Sequence, residues 1–160
     1  MKQHKYVIVG GGPAAGYAAA EMVKKGIGKD ELAIISEDNR PPYDRPPLSK
    51  GFLTGKKRPE EIVVNKPDFY TEHGVRLYLK TQAAKLDCTN SAVVTQAGES
   101  ISCDRVLLAM GSHVNTLDVE GASVAGLCYF RTVDDAERVV ELVEHGRQAV
   151  VIGAGFIGME

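Results

Sequence analysis

The sequence predicts an α/β fold: a mostly parallel sheet with covering helices, a small antiparallel β insertion, and the start of a second unit of the first kind. Three observations support this. Short apolar runs without alternation, YVIV at 6–9 and AVVI at 149–152, read as strands buried on both faces. Each run leads into a glycine cluster, VIVGGG and VVIGAG. The first cluster opens a helical stretch that is followed by another apolar run, which makes a β-α-β unit.

Taken in order, Tyr6–Val9 is the first strand. Pro13–Lys25 is the first helix. Proline suits its first turn, and Ala14, Ala15, Ala18 and Ala19 make a small-residue face that Met22 and Val23 extend. Lys24 and Lys25 suit its negative end, and Gly26 stops it. Glu31–Ser36 is the second strand. Residues 38–67, rich in proline and polar side chains, read as an ordered loop with a short helix near Pro47–Leu53. Lys66–Gly74 reads as a helix and Val75–Leu79 as a strand. Ala83–Leu86 and Ala92–Gln96 are short strands joined by the turn cluster Thr89-Asn90-Ser91. Arg105–Met110 reads as another buried strand, closed by Gly111, and Leu127–Phe130 as a short one. Thr132–Gly146 is a helix: Thr132 and Asp135 match a capping box, and Ala136, Val139, Val140 and Val143 repeat on one face. Gln148–Ile152 is the last strand. The organisation expected is one domain over 1–147 and the start of another over 148–160.

Bulk properties narrow the function. A chain of 160 residues with 44% hydrophobic and 25% charged residues is ordinary for a globular protein. The net charge of −2 gives no reason to expect nucleic acid. No apolar run approaches the ~18 residues of a membrane span. A strand beginning by Tyr6 leaves no room for a leader, so a cytoplasmic protein is expected. Cys88, Cys103 and Cys128 are scattered, as are the histidines, so no metal site is expected and the cysteines read as small buried hydrophobes.

The chemistry lies in the glycine clusters. Gly10-x-Gly12-x-x-Ala15 stands between a strand and a helix, where a dinucleotide fingerprint belongs. Gly10 allows the tight turn, Gly12 lets backbone approach a pyrophosphate, and Ala15 permits close helix–strand packing. Pro13 and Ala14 begin the helix, whose exposed amides and dipole favour phosphate. Glu37 follows the second strand, 22 residues after Ala15. A carboxylate there accepts hydrogen bonds from both ribose hydroxyls of an adenosine and repels a 2′-phosphate. Gly153-x-Gly155-x-x-Gly158 follows AVVI and implies a second dinucleotide site, with NADH and NADPH both open. Two such sites in one chain suggest two dinucleotides, and FAD with NAD(P)H is the natural pair because hydride passes between them.

The segments VIVGGGPAAGYAA, PYDRPPLSK, RVLLAMGS, FRTVDDAE and VVIGAGFIGME resemble the FAD-dependent pyridine-nucleotide reductases of the ferredoxin-, rubredoxin- and putidaredoxin-reductase type. Monodehydroascorbate reductases and apoptosis-inducing-factor-like flavoproteins share this branch, and the similarity spans essentially the whole chain. It implies a Rossmann-like FAD-binding fold. Gly10–Ala15 and Glu37 would hold the ADP half of FAD, and Arg45 and Lys50 would reach the flavin side. Ala83 would meet the adenine through its backbone, and Arg131 would contact FAD near the pyrophosphate. Met110 stands where the family usually has threonine. Lys50 and Glu160 are the candidate catalytic groups, expected as an ion pair near the flavin.

Disulfide reductases of the wider superfamily carry reactive cysteine beside the flavin, and residues 38–87 contain none. Electrons are therefore expected to leave for an external acceptor. An iron–sulfur protein of the ferredoxin or rubredoxin kind, monodehydroascorbate and a quinone-type molecule all remain open. The chain stops two residues past its last glycine-motif residue, so a fragment that is inactive by itself is expected. A truncated, non-catalytic FAD-binding module is the alternative.

Overall fold

The computed structural model describes residues 2–146 and 148–160, so the domain boundary expected at residue 147 falls outside the described residues. The chain forms two compact units, Met1–Asp44 with Val63–Gly111, and Arg45–Ile62 with Ser112–Glu160.

In the first unit, β1 (Lys2–Val9), α1 (Pro13–Lys24) and β2 (Leu32–Ile35) form the expected β-α-β unit. Next come α2 (Pro67–Glu72), β3 (Arg76–Tyr78), β4 (Ala83–Asp87), β5 (Ala92–Thr95) and β6 (Ser100–Leu108). The six strands make one sheet in the order β3-β2-β1-β6-β5-β4. β3, β2, β1 and β6 run parallel, whereas β5 and β4 are antiparallel and continue the sheet beyond β6.

The apolar run of β1 is unbroken because both of its faces are covered. Val7 and Val9 join Ala33, Ile35, Tyr78, Val93, Ile101 and Cys103 on one side. Ile8 joins Ala15, Ala19, Leu32, Ile34, Tyr70 and Val75 on the other. Ala15 and Ala19 are fully buried, so α1 lies close on the strands. Each fully buried Val, Leu or Ile side chain of these clusters contributes about 1.5–3 kcal/mol. A Cβ on Gly16 of the same helix would come within 2.9 Å of both Pro42 and Val64, which is why a glycine stands there.

β6 departs from expectation. It begins at Ser100 rather than Arg105, because its first half pairs with β5. Its second half is not buried: Leu107 and Leu108 stay about half exposed although the strand pairs with β1 there. Of the cysteines, Cys103 is buried as expected, whereas Cys88 is exposed.

In the second unit, the short helix expected near Pro47–Leu53 is a π-helical turn, Leu48–Phe52, in which the Phe52 amide donates to the Pro47 carbonyl at 3.0 Å. A 3₁₀ turn spans Pro59–Glu61. α3 (Val133–His145) begins with the expected capping box. The Asp135 amide donates to Thr132 Oγ1 at 3.2 Å, and the Thr132 amide donates to Asp135 Oδ2 at 2.8 Å. The helix packs on the π-helical turn and buries Val133 and Ala136, while Val143 at its far end is exposed. α4 (Phe156–Met159) is a single turn.

Two strand expectations fail here. Neither 127–130 nor 148–152 forms a strand. An apolar run becomes a strand only when a neighbour takes its alternate amides and carbonyls, and no described strand pairs with either segment. Val150 is 90% exposed, so the buried environment inferred from its neighbours is missing. Among the described residues, no helix is long and apolar enough to cross a membrane, and no cluster of side chains could hold a metal.

Candidate functional site

The first glycine junction is built by close backbone approach. Gly10 has φ +118°, and a Cβ there would lie 2.1 Å from the Ala109 carbonyl oxygen at the end of β6. Any side chain would be strained and would also clash. The Gly10 amide donates to the Ile35 carbonyl at 2.9 Å, tying the turn to β2. Gly11, which has no separate role in the motif spacing, is also confined: its Cβ would lie 2.0 Å from Ser36 Oγ. Gly12 is the N-cap of α1, with φ −83° and ψ −174°, and Pro13 occupies the first turn. The Ala15 and Gly16 amides donate to the Gly12 carbonyl at 3.0 and 3.2 Å. A helix start leaves its first amides without intrahelical partners. Here they meet the positive end of the dipole with no acidic side chain in the first turn.

Glu37 is exposed, and its neighbour Ser36 holds it in place. Ser36 is buried, its amide donates to the Tyr78 carbonyl at 2.9 Å, and its carbonyl accepts from the Thr81 amide at 2.7 Å. Ser36 Oγ accepts from the Asp38 amide at 3.1 Å. The backbone on both sides of Glu37 is therefore fixed. Asp38 is held in turn by the Tyr43 hydroxyl, which donates to its carboxylate at 2.9 Å. A cleft of about 520 Å³ opens beside Glu37, lined further by Lys80, Thr81, Gln82, Thr95 and Gln96. Ala83 opens β4 next to this cleft, opposite Thr95, with a register irregularity between Ala83 and Lys85. The first unit thus brings Gly10, Gly12, Pro13, Ala14 and Ala15 to one strand end, and Glu37 to the end of the adjacent strand.

These features fit the ADP half of FAD. The Gly10 cradle would be filled by any Cβ, the first-turn amides suit a diphosphate, and the carboxylate faces solvent where ribose hydroxyls would need an acceptor.

The second unit holds the other candidates. Lys50 lies in the π-helical turn, and its ammonium is 3.0 Å from Glu160 Oε1. The pair is not buried: the side chains are 58% and 32% exposed. Ser49 donates to the other oxygen of the same carboxylate at 2.5 Å. This contact was not anticipated, because a serine in a proline-rich loop carries no sequence signal. The Ser49 hydroxyl, and after it the Lys50 ammonium, holds the Glu160 carboxyl below its ordinary range. The Arg45 carbonyl accepts from the Leu48 amide at 2.9 Å and helps start the turn. Arg131 touches Asp135 through its backbone amide, at 2.9 Å, so that contact serves the α3 cap.

The second glycine junction repeats the backbone of the first. Gly153 has φ +116°, and Gly155 caps α4 with φ −79° and ψ −179°. The Met159 amide donates to the Gly155 carbonyl at 3.0 Å, as the Gly16 amide does to that of Gly12. A Cβ on Gly158 would lie 2.2 Å from the Gly153 carbonyl oxygen. Two separate segments therefore adopt the same turn from similar glycine spacing.

Known proteins resemble this chain in sequence and in fold. The family model described as pyridine nucleotide-disulphide oxidoreductase matches residues 4–160. A monodehydroascorbate reductase from Solanum lycopersicum is 40% identical, over 99% of this chain and 40% of its own length. The crystal structure of NADH:rubredoxin oxidoreductase from Clostridium acetobutylicum matches with a TM-score of 0.85 and 28% identity, over 98% of this chain and 40% of that one. The ferredoxin reductase of the CYP199A2 system from Rhodopseudomonas palustris matches with the same TM-score of 0.85 and 29% identity, over 96% of this chain and 38% of that one. The chain thus spans about two fifths of the length of these relatives. Proteins of this kind use FAD, with NAD(P)H as the electron donor.

Proposed function

Because the chain belongs to the pyridine nucleotide-disulphide oxidoreductase family, by its match over residues 4–160, we propose that it is the FAD-binding part of an NAD(P)H oxidoreductase that delivers electrons to an external acceptor. The observation that carries this is the first junction: Gly10 with φ +118° against Ala109, leading into α1, with Glu37 presented on a fixed backbone. FAD held there would supply the hydride-accepting and electron-donating chemistry of such an oxidoreductase.

The chain's own residues then have distinct tasks. Gly10, Gly12, Pro13, Ala14 and Ala15 admit the diphosphate to the start of α1. Glu37 accepts from the ribose hydroxyls, and the backbone at Ala83 borders the adenine. Arg45, Lys50 and Arg131 are proposed as cationic contacts for FAD on the resemblance of PYDRPPLSK and FRTVDDAE alone. The Lys50 ammonium, paired with Glu160, would favour negative charge arriving on a bound flavin. Gly153, Gly155 and Gly158 admit the nicotinamide dinucleotide as the start of a second Rossmann unit. No cysteine stands between residues 38 and 87, which supports an acceptor outside the chain. The relatives' names suggest two acceptor classes, a small iron–sulfur protein or monodehydroascorbate. The three free thiols suit a reducing compartment such as the cytoplasm.

The test is anaerobic mixing of the protein, isolated from its source with bound FAD, with NADH or NADPH. Loss of the yellow flavin absorbance is expected. A yellow protein that neither donor bleaches would instead favour the non-catalytic FAD-binding module. Acceptor assays with a ferredoxin-like protein and with monodehydroascorbate would then assign the acceptor.

A further inference from the structure

An exposed lysine–glutamate pair is weakly held on its own. Both side chains lose rotamer freedom, and such pairs contribute little. Yet Lys50 and Glu160 meet at 3.0 Å. A third group accounts for this. Ser49 donates to Glu160 Oε2 while Lys50 holds Oε1, so both oxygens of one carboxylate are engaged by adjacent residues of one turn.

Ser49 is well placed for the task. Its side chain has a single heavy-atom torsion and little freedom to lose. Its neighbour Leu48 is buried, and the turn is closed by bonds from Leu48 to Arg45, Lys50 to Pro47 and Phe52 to Pro47, at 2.9, 3.1 and 3.0 Å. A hydroxyl has one proton to give. Its alternative acceptor, the Pro46 carbonyl, stands at 3.5 Å, against 2.5 Å for the carboxylate.

We propose that Ser49 is the positioning residue of the Lys50–Glu160 pair: its hydroxyl holds one carboxylate oxygen of Glu160 and so aims the other at the Lys50 ammonium. The value of this pair to hydride arrival rests on the function proposed above. Holding Glu160 in one rotamer removes part of the entropy that the ion pair would otherwise lose.

The test is a carboxyl-¹³C NMR titration of Glu160 in the full chain, its signal identified by its loss in Glu160→Gln. In Ser49→Ala the midpoint shifts upward toward an ordinary glutamate, while Ser49→Thr, which keeps a hydroxyl, titrates like the parent. In the FAD-loaded protein, Ser49→Ala slows bleaching by NADH about threefold to tenfold, the size of one modest hydrogen bond. The same change made on Glu160→Gln adds nothing further, because Ser49 acts through Glu160. An unmoved midpoint in Ser49→Ala overturns the proposal, and so does an equal slowdown on the Glu160→Gln background. A parent protein that NADH never bleaches, but whose Glu160 midpoint still moves in Ser49→Ala, removes the catalytic reading and leaves the positioning role standing.

Discussion

Lys50 Nζ and Glu160 Oε1 lie 3.0 Å apart, although one residue sits in a proline-rich loop and the other follows the second glycine junction. Lys50→Ala removes the ammonium that Glu160 positions. The expected result is slower bleaching of bound flavin by NADH or weaker FAD retention, read by stopped-flow absorbance and by fluorescence titration. Unchanged values for both would remove Lys50 from the proposed chemistry.

The same pair has a defined pH window. Ser49 first, then Lys50, holds the Glu160 carboxyl below its ordinary value. A depressed carboxyl favours the contact above the unfolded value and loses it as pH falls through the folded one. The contact is therefore complete at neutral pH and lost only in acid, below the usual glutamate range near 4.3. Carboxyl-¹³C spectra taken across that range read the loss directly.

Gly10→Ala should be among the most damaging small substitutions. The residue would be forced to φ +118° and its Cβ would meet the Ala109 carbonyl at 2.1 Å. Strain of about 1–3 kcal/mol adds to overpacking of similar size, so a loss above ~2 kcal/mol is expected in urea unfolding. Gly26→Ala is the control. Its φ is +84° but its Cβ would meet nothing within 4 Å, so only the strain remains.

Thr132→Ala removes the side-chain oxygen that accepts from the Asp135 amide at 3.2 Å. Loss of a cap of this type costs about 1 kcal/mol, measurable as a lower urea midpoint.

The parts legible in the sequence were the local ones. Gly10, Gly12 and Ala15 announce their junction because the turn is made by neighbours in sequence, and the Thr132–Asp135 cap is legible for the same reason. The fixed backbone around Glu37 was not legible. It depends on Ser36 meeting Tyr78 and Thr81, which are distant in sequence. The apolar runs at 127–130 and 148–152 show the opposite failure. Periodicity reports what a segment could bury, but pairing needs a partner strand, and no described strand supplies one. Lys50–Glu160 was legible through family resemblance, whereas Ser49, a common residue in a loop, was not.

The most direct measurement is titration of the purified chain with FAD, followed by flavin fluorescence, in the parent and in Glu37→Ala. One FAD per chain is expected. The variant should bind about 10- to 100-fold more weakly, since hydrogen bonds to a charged group contribute roughly 1.5–3 kcal/mol and each 1.4 kcal/mol is tenfold. A parent chain that takes up no FAD, or a Glu37→Ala variant that binds it equally well, would show that the first junction and its carboxylate are not the cofactor site.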